Sequence, residues 1–87
     1  MALVRIPSLL RDISGGRTEV EVQGRNLRQV VDALDAQCPG MKARLMEDGS
    51  LRPELAFAVD GETAELGLLQ PVGERSEVLI LPAMSGG

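Results

Sequence analysis

Histidine, tryptophan and tyrosine are absent from this sequence, and Phe57 is its only aromatic residue. Without histidine there is no imidazole general base and no His-ligated zinc. The core must instead be built from Leu, Val, Ile and Met. Cysteine occurs once, as Cys38, so no internal disulfide can form, which fits a reducing cytoplasm. No apolar run approaches the roughly eighteen residues of a membrane span. The opening MALVRIPSLLRD carries an arginine inside its apolar stretch and lacks a small-residue cleavage site, which argues against a signal peptide. Basic residues are scattered and the formal net charge is −4, so the clustered cationic surface that nucleic acid requires is missing. Neither nucleic acid nor membrane is expected as a partner.

What is present suits one small domain, because 87 residues can bury a single core without staples. ALVRI, 2–6, alternates as a strand, and Pro7 ends or bends it. Ser14-Gly15-Gly16 reads as a turn before TEVEV, 18–22, whose Val20 and Val22 face inward. The two strands suggest an antiparallel hairpin. A helix follows, with Asn26 as its cap and Gln29 completing a capping-box pattern. Leu27, Val30, Val31, Leu34 and Cys38 make one apolar stripe, while Arg28, Asp32 and Asp35 fall largely on the wet side. Pro39-Gly40 stops the helix, Met41 to Met46 suggest a short helical turn, and EDGS, 47–50, reads as a polar loop.

LAFAV, 55–59, predicts a third strand with Leu55, Phe57 and Val59 on one face, and Asp60-Gly61 is a hairpin turn signal. Residues 62–75 show no clear period, and Pro71 and Gly73 break any long element. SEVLILP, 76–82, makes the last strand, with Val78 and Ile80 inward and Leu79 and Leu81 outward. The order ββαββ points to an α+β grasp arrangement, a mixed sheet of four to five strands packed on one main helix.

The sequence then closes on Gly86-Gly87. A frayed end is one explanation of such a pair. The other is a slim leash, since glycine lacks a Cβ and accepts backbone angles closed to other residues. The expected division is a body over 1–82 and a flexible tail over 83–87. Those five residues span at most about 17 Å, enough to thread the Gly87 carboxylate into another protein's pocket.

With the ββαββ order, the VDGE stretch at 59–62 and the ending VLILPAMSGG, the chain resembles the MoaD/ThiS family of ubiquitin-like sulfur carriers. The likeness covers essentially the whole chain. The opening VRIPSLLR, 4–11, is most similar to the carrier that feeds cysteine synthesis, and the segment RLMEDGSLRPEL, 44–55, exceeds a typical thiamine-pathway carrier. The resemblance implies a β-grasp fold and a protein that is not itself an enzyme. It implies that Gly87, behind Gly86, is adenylated with ATP by a ubiquitin-activating-like enzyme and converted to a thiocarboxylate. The sulfur would then add to an aminoacrylate on a pyridoxal-phosphate cysteine synthase, and hydrolysis would release cysteine. ATP and pyridoxal phosphate would belong to the partners, and this chain would bind no cofactor. Two alternatives stay open: a small subunit paired with the large subunit of molybdopterin synthase, and a ubiquitin-like modifier joined to lysines of targets.

Ala58, Leu79, Leu81, Pro82, Ala83 and Met84 are the candidate docking residues, set against the ordinary occurrence of single surface leucines. Relatives often carry an aromatic at the position of Ala58, and a Gly-Asp turn where this chain has GERS, 73–76. Both departures bear on how a partner would grip. Cys38 reads as a buried structural thiol, Met41, Met46 and Met84 as packing, and Lys42, the single lysine, as a surface charge. Asp32, Asp35, Glu47 and Asp48 are either a solubility surface or a face for a basic partner.

Overall fold

The computed structural model describes residues 1–83. Strands β1 (Ala2–Arg5) and β2 (Glu19–Val22) pair antiparallel, with Val4 opposite Val20. Their alternation buries Ala2, Val4, Val20 and Val22 and sends Arg5, Glu19 and Glu21 to water. The connection is more than a turn. Pro7 leads into a 3₁₀ turn, Ser8–Leu10, which drops Leu10 fully into the core before Gly15 and Gly16 reverse the chain.

Helix α1 (Leu27–Gln37) starts where the sequence predicts. The Asn26 side-chain oxygen accepts the Gln29 N–H at 2.9 Å, and Gln29 Oε1 accepts the Arg25 N–H at 2.8 Å. The first bond satisfies a donor that the opening turn leaves free, and the second ties down the residue ahead of the cap. Leu27, Val30, Val31 and Leu34 are buried, with Cys38 following at the helix end. Asp35, expected largely on the wet side, is half-buried. Its Oδ1 accepts the N–H groups of Gly40 (3.2 Å) and Lys42 (2.9 Å), tying α1 to the short helix α2 (Met41–Leu45).

The polar loop expected at 47–50 is instead the turn of a small hairpin, β3 (Met46–Glu47) with β4 (Ser50–Leu51). Asp48 and Gly49 both take positive φ, 53° and 80°, which is what a two-residue hairpin of this hand demands. The same chemistry at Asp60-Gly61 joins β5 (Leu55–Val59) to β6 (Glu62–Thr63). The stretch without a clear period holds β6 and a 3₁₀ turn, Gly67–Leu69, before β7 (Glu77–Pro82).

The main sheet runs β2-β1-β7-β5-β6 and is mixed, since β1 and β7 are parallel and the other pairs antiparallel. Its inner face closes on α1, with Val4, Val22, Phe57, Val78 and Ile80 meeting Leu27, Val30, Val31 and Leu34 in one core. The expected α+β β-grasp fold is what forms.

Gly24 sets the distance between the β2 exit and α1. A Cβ there would lie 2.9 Å from the Val30 nitrogen and 3.0 Å from its Cγ2, and the helix backbone cannot yield cheaply. Gly24→Ala should therefore destabilise the fold by about 1–3 kcal/mol, as overpacking does. Urea unfolding checks this: an unchanged midpoint would mean that the entry to α1 is slack.

Candidate functional site

Strand β7 occupies the middle of the sheet, parallel to β1 on one side and antiparallel to β5 on the other. Val78 and Ile80 anchor it in the core at 0% and 2% exposure. Period-two alternation then sends Glu77, Leu79 and Leu81 to the opposite, outer face. Across that face one row reads Glu19, Arg5, Leu79, Ala58, Thr63. Leu81 lies opposite Ala56. Leu79 is half-buried and Leu81 is 45% exposed. With alanine at both 56 and 58, nothing large rises beside the leucines on their β5 side, so the strip is low and apolar there.

Arg5 closes the strip on its β1 side. Its Nε donates to Glu77 at 2.7 Å and its Nη1 to Glu19 at 2.6 Å. The Glu77 hydrogen bond, then the charges of Glu77 and Glu19, hold the guanidinium above its usual pKa. The pairs are about half exposed and contribute little stability in water. Their effect is to offset part of the charge at the rim of an apolar surface, one guanidinium being shared by two carboxylates.

The root of β7 is fixed by a polar clamp. Asp60 Oδ1 accepts the Glu77 N–H at 2.9 Å, and Ser76 Oγ donates to Asp60 Oδ2 at 2.7 Å. Ser76 Oγ also accepts the Gly73 N–H at 2.8 Å, so the GERS segment folds back on its own buried serine. Neither Ser76 nor Arg5 stands out in the sequence. The legible signal was a Gly-x-x-Ser step directly before a strand, paired with an Asp-Gly turn.

At the other end of β7, Pro82 lies opposite Leu55, and the Ala83 N–H donates to Glu54 O at 2.8 Å. A cleft lined by Leu9, Leu10, Arg44, Arg52, Glu54 and Leu55 adjoins this exit. Of the candidate residues, Ala58, Leu79 and Leu81 share the outer face, and Pro82 and Ala83 mark where the chain leaves it. Of the tail expected over 83–87, Ala83 is bonded to the body, and Met84, Gly86 and Gly87 lie outside the described residues.

The remaining candidates are structural in their surroundings. Cys38 and Met41 are buried and Met46 half-buried. Lys42 pairs with Asp32 at 2.7 Å, Asp35 is occupied by backbone amides, and Glu47 lies 3.7 Å from Arg52. Two of the four acidic candidates thus face cations, Asp35 holds amides, and Asp48 is an exposed hairpin-turn residue. Among the described residues no three His, Cys, Asp or Glu side chains converge as metal ligands, and no helix is long and apolar enough to cross a membrane.

The pattern of the ThiS family matches residues 4–87. The chain is 34% identical to the sulfur carrier protein CysO of Mycobacterium tuberculosis, over 97% of this chain and 96% of that one. The crystal structure of that CysO superposes with a TM-score of 0.90 at 31% identity, covering 97% and 100% of the two chains. A chain in the crystal structure of the Amycolatopsis orientalis BexX/CysO complex gives a TM-score of 0.92 at 31% identity, with both chains fully covered. The small archaeal modifier protein 1 of Haloferax volcanii gives 0.75 at 26% identity, over 99% and 98%.

The Asp60 clamp makes stability depend on pH. The Glu77 amide and the Ser76 hydroxyl stabilise the Asp60 carboxylate and lower its pKa, as Arg44 does for Asp12 and Lys42 for Asp32. For such depressed groups the stabilisation is complete above the unfolded value near pH 4 and is lost as pH falls through the lower folded value. The melting temperature should hold from pH 7 to about 4.5 and fall below it. Asp60→Asn should melt lower at pH 7 and lose less on acidification. An equal acid loss in both proteins would remove Asp60 from the account.

Proposed function

The chain belongs to the ThiS family, and from that premise we propose that it is a sulfur carrier whose working group is the Gly87 carboxylate. A carboxylate is a poor electrophile because its charge is shared by two oxygens. Activation requires a better leaving group. A partner enzyme supplies it from ATP: a Gly87 oxygen attacks the α-phosphorus, pyrophosphate departs, and an acyl-adenylate forms. A sulfur donor then displaces AMP and leaves a thiocarboxylate, whose anionic sulfur is a good nucleophile. The carrier contributes no catalytic side chain and acts as a cosubstrate that its partners consume and regenerate.

What supports this reading is a family match that runs through Gly87, together with the place of β7 in the sheet. The body, residues 1–82, presents the tail, residues 83–87, from its most firmly held strand. The docking strip of Ala58, Leu79, Leu81, Pro82 and Ala83, with Met84 beyond it, leads the partner toward the terminus. Low alanines at 56 and 58 suit a partner that brings the bulky groups to the interface itself.

The likeness to the CysO carriers across nearly all of the chain favours cysteine biosynthesis in the cytoplasm. The acceptor is then a pyridoxal-phosphate cysteine synthase, and hydrolysis after sulfur transfer returns the diglycine end. The similarity to an archaeal modifier supports a second reading, attachment of Gly87 to target lysines. Isopeptide-linked conjugates in cell extract would favour it.

Intact mass after incubation with the activating enzyme, ATP and sulfide tests the carrier reading. The chain should gain the mass difference between sulfur and oxygen. One alanine added after Gly87, or Gly87→Val, should abolish the gain, and undiminished transfer in either variant sinks the proposal. Leu79→Arg with Leu81→Arg should reduce kcat/KM for transfer by about tenfold or more, as loss of a buried anchor does, without altering the melting temperature.

A further inference from the structure

The segment between β6 and β7 displays two leucines, Leu66 and Leu69, that are 61% and 74% exposed. Single exposed leucines are ordinary, but these two share one tightly bonded turn. The Leu69 N–H donates to Leu66 O at 3.1 Å and the Gln70 N–H to Gly67 O at 3.0 Å, while Gln70 Oε1 accepts the Leu66 N–H at 3.4 Å. Upstream, the Ala64 N–H donates to Phe57 O at 2.8 Å. Downstream, the Leu27 N–H donates to Gln70 O at 3.0 Å and the Val72 N–H to Arg25 O at 2.9 Å. Leu68 between them is half-buried. The backbone thus holds Leu66 and Leu69 outward, and a group displayed in advance loses little freedom when a partner covers it.

The charge around them differs by side: Arg28 of α1 lines a hollow with Leu68, while acid flanks the turn toward β6. Glu62 and Glu65 line the same hollow as Leu66, and both are exposed. Among the described residues neither forms an ion pair, whereas Glu19 and Glu77 are held by Arg5 and Asp12 by Arg44. The turn packs toward α1 at the β6 edge of the sheet, apart from the strip formed by Leu79 and Leu81.

We infer that Leu66 and Leu69 are a second docking knob, which seats in an apolar pocket rimmed by Lys or Arg on the activating enzyme. The inference rests on the sulfur-carrier reading for the partner's identity. An enzyme that gathers ATP and a carboxylate must surround its site with cationic groups, and such a field draws in an acid-flanked knob. A second copy of this chain is the poorer occupant, because it would bring Glu62 and Glu65 against their own kind on a protein of net charge −4. Two separate contacts would fix the orientation of the body while the tail enters the site.

Binding of the full chain to the purified activating enzyme, measured by calorimetry without ATP, tests this apart from the chemistry. Leu66→Ser with Leu69→Ser, and separately Glu62→Gln with Glu65→Gln, should each weaken binding by about tenfold. Wild-type affinity should fall as salt rises, and the Glu62/Glu65 variant should respond less. Melting curves establish that the variants are folded, and the glutamine pair carries the test should the serine pair unfold. Unchanged affinity in the folded variants overturns the proposal, as does weakening only toward the acceptor enzyme. Wild-type dimers in sedimentation that the serine pair dissolves would also overturn it. A wild type that binds but gains no sulfur would defeat the carrier reading and leave the knob standing.

Discussion

Hydrogen bonding of β7 on both of its edges is the constraint from which the rest of this structure follows. A central strand cannot shift register without breaking two ladders at once, and here a slip of one residue would also drive Leu79 and Leu81 into the core. The strand therefore meets the polar clamp of Asp60 and Ser76 at its start and the Glu54 carbonyl at its end in fixed positions. Ala83, the last described residue, is thereby held at one defined point.

The two faces of the sheet divide the work. The inner face is a continuous aliphatic layer against α1, with Phe57 as its one aromatic member. The outer face is built differently, from small alanines, the leucines Leu3, Leu79 and Leu81, and an arginine shared by two glutamates. Apolar area on that face stabilises nothing within the chain, whereas in a complex it can be removed from water. Sharing Arg5 between Glu19 and Glu77 offsets part of the charge beside it.

Much of this was legible in the residues. The alternation in β1, β2, β5 and β7, the Asn26 cap and the stripe of α1 all form as periodicity and capping dictate. The Asp48-Gly49 hairpin was missed although its turn residues match those of Asp60-Gly61, because its strands are only two residues long and carry no period. Asp35 was misplaced for a different reason. Helical spacing assigns a residue to a face, but the amides of Gly40 and Lys42 reach it only after the chain turns back through a left-handed glycine.

Local sequence decided where strands and helix begin and which side chains turn inward. Those properties depend on period, capping and backbone sterics, all of which act within a few residues. That the last strand lies between β1 and β5, that Arg5 meets two carboxylates, and that Asp60 receives Ser76 and the Glu77 amide was decided by tertiary structure alone. Each joins residues distant in the chain, and only packing of the whole sheet on α1 brings them within reach.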